Sequence, residues 1–356
     1  MTILFNIKCR QKDLSHRINE RFKSQNNDDI LKLKYENKSL TDFMAAAEKL
    51  NIEVASLGFG IFELKKGDIR KRVTNGLGYD TQNMVTNYMC KNKYLVYKIL
   101  ERENITCFPR HSYYKFKDVE KTIKDFKEWN CRVVIKPCTG TYGGRGVTVN
   151  IKNEKELKNA IAGSYVFDRK AYLMEQYITG SHYRLMTLKG EYLYCCQRIP
   201  ARVFGNGKDS INKLIIKENQ RRISGNCDKF LYPIVVDNEV KRKLKSLNKT
   251  MDSIPADGEE FFVKDVINMH SGGEIIDIFD VSKEIKDVCK EIANILDIYL
   301  TGFDIITNDI SKSFDETKGV INETNTAPGI EDMYIGTNSK TPVHVAEIIL
   351  KDIFNL

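Results

Sequence analysis

VVIKPCTGTYGGRGVTV, residues 133–149, is the stretch on which the reading of this chain turns. A short apolar strand ends in Lys136 and Pro137, and a loop carrying Gly140, Thr141, Gly143, Gly144 and Gly146 follows. A second strand, VTVNI (147–151), leaves that loop as a hairpin partner. Glycines let backbone N–H groups approach phosphate oxygens closely, and the lysine adds a fixed positive charge. The segment is not a P-loop, because its lysine precedes the glycines and a strand follows them, not a helix. By itself it reads equally as a glycine-rich hairpin with a surface lysine.

A second stretch, INETNTAPG (321–329), lies about 20 residues after GFDIITNDI (302–310). Alternation along strand 319–325 puts Ile321, Glu323 and Asn325 on one face. With Asp304 on the neighbouring strand, two carboxylates and an amide oxygen form a set of hard donors. Magnesium paired with nucleotide phosphates takes such a set, with manganese as the alternative ion. An exposed acidic strand end is the plain alternative.

Around these two elements the pattern is of short strands, hairpins and amphipathic helices. LTDFMAAAEKLNIEVASLGFGIFELKKGDIRKRV (40–73) reads as a helix, a strand and a hairpin turned at KKGD. Helices are expected near 91–105, 115–129, 154–165, 208–222, 282–298 and 342–354. Strands are expected near 131–137, 171–178, 183–204 (three), 274–280, 302–310 and 319–325. Mixed hairpins and helices argue for α+β layers and against a doubly wound sheet. No internal repeat or low-complexity segment occurs.

The 356 residues allow two domains, or one with a large lid. The formal charge of +8 is spread thinly, which suits an anionic ligand and argues against a nucleic-acid partner. No apolar run approaches the length of a membrane span, and the N-terminus lacks a signal-peptide pattern. Nine scattered cysteines without CxxC spacing argue against a disulfide framework or zinc site. A reducing, cytoplasmic location is expected.

Taken together and in order, these segments resemble the ATP-grasp ligases. They are most similar to the ATP-grasp part of cyanophycin synthetase and of the fused glutamate–cysteine ligase/glutathione synthetase, and more distantly to D-alanine–D-alanine ligase. The matching segments are KNKYLVYKILERENITCFP (91–109), the glycine-rich hairpin, YLMEQYITGSHYRL (172–185), RIPARVFGNGKDSINKLI (198–215), INMHSGGEIIDIFD (267–280) and the two acidic strands. The resemblance covers about residues 85–356. It implies an ATP-grasp fold, two α+β subdomains gripping ATP, behind a small N-terminal α/β domain (1–85). The lid subdomain would run over about 110–177 and the metal and substrate subdomain over about 178–356.

The resemblance also implies roles. Lys93 and Lys136 would hold the α- and β-phosphates, under a lid formed by the loop 139–146. Glu175, Gln176, Tyr177 and Ile178 would form the strand edge that reads adenine, and His182 would face the ribose. Asp304, Glu323 and Asn325 would hold two magnesium ions. Arg184 and Arg198 would point at the transferring phosphate, with Asn268 beside them. Arg202, His270, Gly272 and Gly273 would line the substrate pocket. Lys93, Arg184 and Arg198 also read as ordinary solvated or strand-face cations.

Departures from the family pattern cluster on the acceptor side. His182 replaces an acid, His270 a serine and Arg202 a histidine, while Asn92 replaces an aspartate and the phosphate loop is one residue longer. Arg202 adds a planar fork suited to a carboxylate. The implied reaction is ATP-dependent joining of an amino acid or peptide carboxylate to an amine through an acyl phosphate, releasing ADP and phosphate. A ligase maturing a natural-product precursor, a kinase that stops at phosphorylation and an ATP-binding module without turnover are the alternatives. The chain is expected to stand alone, without the relatives' further large domains. A homodimer is compatible with the family, and no interface signature is present.

Overall fold

The computed structural model describes residues 38–74, 78–79, 81–139, 144–223, 231–267, 269–330, 333 and 344–356. It begins with helix α1 (Lys38–Lys49), strands β1 (Glu53–Gly58), β2 (Ile61–Lys66) and β3 (Ile69–Thr74), and helices α2 (Met84–Cys90) and α3 (Lys93–Arg102). Strand β4 (His111–Lys115), helix α4 (Val119–Trp129), strands β5 (Val133–Pro137) and β6 (Thr148–Ile151), helix α5 (Glu154–Ser164) and strand β7 (Ala171–Gln176) follow. Strands β8 (Ser181–Leu188), β9 (Glu191–Ile199) and β10 (Arg202–Phe204), helices α6 (Ile211–Ile223) and α7 (Asn238–Ser246), and strand β11 (Glu260–Phe262) come next. After a 3-10 turn (Met269–Ser271) come β12 (Glu274–Asp277), α8 (Lys283–Ile295), β13 (Leu300–Thr307), α9 (Phe314–Thr317), β14 (Val320–Asn325) and α10 (Val345–Phe354).

Two antiparallel sheets frame the molecule. A four-stranded sheet has the order β4-β7-β5-β6, and a five-stranded sheet the order β12-β9-β8-β13-β14. Helices α4 and α5 cover the smaller sheet. In α4 the buried positions Val119, Thr122, Ile123 and Phe126 recur at helical spacing. They pack with Ile135, Ile151, Leu157, Tyr172 and Met174. These α+β layers are as expected, and every strand pair recorded in the two sheets is antiparallel.

The five-stranded sheet is buried on both faces, and its alternation assigns each side chain to one of two cores. Leu185, Cys195, Phe303 and Ile305 pack with Ile285, Cys289 and Ile292 of α8. Their chain neighbours Met186 and Cys196 point the other way, onto Phe43, Leu64, Val73, Ile349 and Phe354. The helix and meander of residues 38–79 therefore share a core with the larger sheet and with α10. The described cysteines form no disulfide. Burial pushes the Cys90, Cys107 and Cys138 thiols up to about 12, so none of these offers a ready thiolate.

Strand β4 differs from the expected pattern, which left residues 110–114 unassigned and began a helix at 115. Lys115 is the last residue of β4, paired with Ala171, and the helix starts at Val119. The consequence is that β7 lies between β4 and β5, inside its sheet.

Candidate active site

The metal-strand expectation rests on β13 and β14. Asp304 lies directly opposite Glu323, and Gly302 opposite Asn325. The register then shifts by one between Asp304 and Ile305, which pairs with Ile321. Asn322 is the extra residue of a β-bulge, a device that re-aims groups beside a site. On the other side of β13, Asp304 pairs with Arg184 of β8. Arg184 Nε donates to Asp304 Oδ1 at 2.7 Å and Nη2 to Oδ2 at 3.3 Å. Arg198 Nη1 reaches the same Oδ1 at 3.4 Å, and the Asn325 amide nitrogen lies 3.4 Å from Oδ2. A Cβ on Gly302 would come within 2.6 Å of Arg184 Nη1. The glycine thus leaves the lane through which Arg184 crosses the sheet. Burial acts to raise the Asp304 carboxyl, but Arg184 and Arg198 outweigh it and hold it below the usual carboxylate range.

The lysines arrive from helix α3 and from the four-stranded sheet. Lys93 is the first residue of α3, whose N-cap is Asn92, with Leu95 N donating to Asn92 Oδ1 at 3.1 Å. Asparagine caps as well as aspartate, which accounts for Asn92 in place of the family's acid. Lys93 N donates to the Cys138 carbonyl at 3.1 Å, so the helix start is stitched to the end of β5. Lys93 Nζ lies 2.9 Å from Glu323 Oε1. Lys136, buried on β5, sits 2.8 Å from Glu175 Oε2 on β7. At the root of the glycine loop, Asp168 accepts from Thr139 N at 3.1 Å and Thr139 Oγ1 at 2.9 Å. Gly146 has φ +74°, and a Cβ there would strike Phe167 and Pro137. Gly140, Thr141 and Gly143 lie outside the described residues, as do Asn268 and the first 37 residues.

Three expected parts of the site have the following surroundings. In the segment from Glu175, Gln176 N donates to the Arg110 carbonyl at 2.8 Å and Tyr177 N to the Arg132 carbonyl at 2.9 Å. Arg110 directly precedes β4, which the sequence pattern did not reveal, and Arg132 directly precedes β5. The fork of Arg202 is filled by Glu274, with Nε and Nη2 at 3.1 and 2.8 Å from Oε2, and Glu260 also pairs with it. His182, an exposed position of β8, lies opposite Arg198 and Ile306. Desolvation by surrounding chain atoms lowers its pKa despite Asp304, and Arg198 adds to the effect. At neutral pH its imidazole is uncharged and keeps an acceptor nitrogen.

Near the expected substrate turn, Gly272 has φ +102° and a Cβ there would lie 2.6 Å from Ile234 Cα. His270 packs edge-on against Tyr232 with centroids 4.6 Å apart. The turn is anchored by Arg222, which the sequence did not single out. Its guanidinium donates to the carbonyls of Tyr232 and Gly272, both at 2.9 Å, and to Glu218 and Glu274.

Tyr97 was missed as well. It lies one helical turn after Lys93, and this i, i+4 spacing from a candidate ligand was its one sequence signal. Its hydroxyl reaches Glu175 Oε1 at 3.0 Å and the bulged Asn322 carbonyl at 3.3 Å. Burial and the Glu175 carboxylate push its phenol well above the usual range, so the proton stays on oxygen. A cavity of ≈ 20 Å³, room for one water, lies among Lys93, Tyr97, Asn322 and Glu323. Among the described residues no helix is long and apolar enough to cross a membrane.

Comparisons with known proteins bear on the fold. Residues 114–220 match the model of the prokaryotic glutathione synthetase ATP-grasp domain. Cyanophycin synthetase of Synechocystis is 32% identical over 243 residues, 67% of this chain and 27% of the relative. The bifunctional glutathione biosynthesis protein GshAB of Clostridium perfringens is 26% identical over 292 residues, 80% of this chain and 37% of the relative. The chain thus spans between a quarter and two fifths of the length of these curated relatives. The crystal structure of a bifunctional glutathione synthetase from Pasteurella multocida aligns with TM-score 0.62 and 23% identity, covering 90% of this chain and 44% of that one. The chain is an ATP-grasp protein in its fold, similar through its central region to the ATP-grasp domain of the prokaryotic glutathione synthetases.

Proposed function

We propose that this chain is an ADP-forming ligase that joins the carboxylate of an amino acid or peptide to an amine. The observation that carries the reading is the meeting of two sets of side chains. Lys93 and Lys136 come from one side of the cleft, and Asp304, Glu323 and Asn325 from facing positions of two paired strands. Each carboxylate is held by a cation of the same site: Glu323 by Lys93, Glu175 by Lys136, Asp304 by Arg184 and Arg198. A nucleotide–metal complex could exchange with these pairs, its phosphates taking the lysines and its cation the oxygens.

The residues fit magnesium in that role. Among the described residues no three His, Cys, Asp or Glu side chains cluster. Two carboxylates and one amide oxygen are too few for a protein-only cage, so nucleotide phosphates would complete the shell, as magnesium sites of this kind require. Asp304, Glu323 and Asn325 would hold the ions, which supply charge neutralisation to the triphosphate when bound.

The chain's own residues then position and stabilise. Lys93 and Lys136 neutralise the phosphates, and Arg184 and Arg198 face the oxygens on which charge develops. A substrate carboxylate oxygen attacks the γ-phosphorus as the bond to the ADP oxygen breaks. The amine nitrogen then attacks the acyl carbon, phosphate leaves with the C–O electron pair, and the amine proton passes to solvent. No side chain forms a covalent bond, so rate comes from orientation and preorganised charge. Exclusion of water protects the acyl phosphate.

The test is ADP release from the purified chain over a panel of amino acids and dipeptides, with and without hydroxylamine. Turnover requiring a carboxylate, with hydroxamate formed when hydroxylamine replaces the amine, is the expected result. ATP binding without substrate-dependent ADP release in any combination would favour a binding module. A stable phosphorylated product with no hydroxamate would favour a kinase.

A further inference from the structure

Tyr97 is placed where the two sheets meet, in a small core with Cys138, Ala171 and Leu173. Phe108 stacks on its ring with centroids 4.9 Å apart, and His111 lies 4.4 Å away on another side. The ring has little freedom, so its hydroxyl has a set direction. That direction is the gap between Glu175 Oε1 and the Asn322 carbonyl. Lys136 Nζ addresses the same two groups, at 2.8 Å from Glu175 Oε2 and 3.5 Å from Asn322 O. An ammonium has three N–H donors. Two are directed at Glu175 and Asn322, leaving the third for a ligand oxygen.

We infer that Tyr97 is a positioning residue of this site, holding Lys136 in place through Glu175 and joining the lid sheet to the strand that carries Glu323. The inference rests on the reading of Lys136 as a phosphate ligand. The bulge gives it its particular form. Without the extra residue the Asn322 carbonyl would lie in the β14 ladder; with it, the carbonyl turns out toward Tyr97 and Lys136, next to Glu323. One hydroxyl thereby touches both the acid that orients the lysine and the backbone beside the metal-facing carboxylate. Ring packing alone would be served equally by phenylalanine; the hydroxyl is what the polar arrangement uses.

The test is Tyr97→Phe, with Glu175→Gln as a second variant that keeps shape and removes charge. Affinities for ATP, ADP and adenosine are measured by calorimetry or displacement. The expected result is a rise of about tenfold in the Kd of ATP and ADP, the scale of one hydrogen bond to a charged group, with adenosine unchanged. In a Lys136→Met background, Tyr97→Phe should change ATP affinity by less than about twofold, because coupled groups are not additive. Equal weakening of ATP and adenosine would make Tyr97 a packing residue and overturn the inference. So would a full tenfold loss persisting without Lys136. If Lys136→Met alone leaves the ATP-to-adenosine ratio unchanged, the phosphate-site reading itself falls, and this inference with it.

Discussion

Two charged networks draw on the five-stranded sheet and are built from the same residue types. On the phosphate side, Lys93, Arg184 and Arg198 pair with Glu323 and Asp304, whose side chains are 30% and 27% exposed. On the acceptor side, Arg222 is fully buried and Glu274 is 12% exposed. In the first network the carboxylates reach solvent while Lys93, Arg184 and Arg198 are 12%, 9% and 19% exposed, so the carboxylates are the partners a ligand approaches most directly. The second is sealed, and Arg222 spends its donors on the Tyr232 and Gly272 carbonyls as well as on two carboxylates. Removing a buried partner leaves an uncompensated charge, whereas an accessible pair can trade its partner for a ligand. Burial and the backbone contacts, more than residue type, separate the exchangeable network from the structural one.

The sharpest break between the two should come from Arg222→Ala. It leaves Glu218 and Glu274 facing a cavity and two carbonyls without their donor. A loss of about 3–5 kcal/mol is expected in denaturant unfolding, the scale for breaking a buried pair. A loss below about 1 kcal/mol would show that the network relaxes as a surface pair does.

Glu323→Gln should do the opposite. It removes one charge from the open network, and kcat should fall about a hundredfold or more, with stability little changed. ADP affinity should weaken less than kcat, since the lysines remain. Near-normal turnover in the folded variant would take Glu323 out of the metal set.

Lys136→Ala should raise the Kd of ATP by about 10- to 150-fold, the range for one charge-assisted bond. Unchanged affinity for both ATP and ADP would remove the lysine from the phosphate site. Lys136 is itself buried at 5% exposure, so the Tm of this variant should also fall, by less than that of Arg222→Ala.

Arg202 lies between the two cases, its fork filled by Glu274 yet 19% exposed. Arg202→Ala should cost about 1 kcal/mol of stability and change the substrate KM by less than threefold, with ATP affinity spared. A KM raised tenfold or more, at unchanged stability, would mean that the fork releases Glu274 for a substrate carboxylate and belongs with the exchangeable network.

Much of this was legible without coordinates. The order of the segments and the hairpin after Lys136 follow from local pattern, and the family resemblance put Asp304 and Glu323 on neighbouring strands. Strand alternation has a period of two, and the glycines mark where the chain must turn. Strand β4 was not legible, because HSYYK carries no clear alternation and takes its identity from pairing with β7. The helix start misplaced at 115 has that origin. The bulge at Asn322 was equally hidden. A one-residue shift between partners is a property of two strands, and a single strand's sequence contains no record of it.

The sequence by itself determined which residue types surround the cleft: lysines, hard oxygen donors, and glycines at the turns. Periodicity and turn chemistry are local, so they survive without a fold. Only the tertiary structure decided who holds whom. Glu175 pairs with Lys136, and the Arg202 fork is filled by Glu274. Tyr97, separated from Glu175 by 78 positions and from Asn322 by 225, became the point where both sheets meet. Such contacts depend on register, burial and the direction of single atoms, and these exist only once distant segments have packed together.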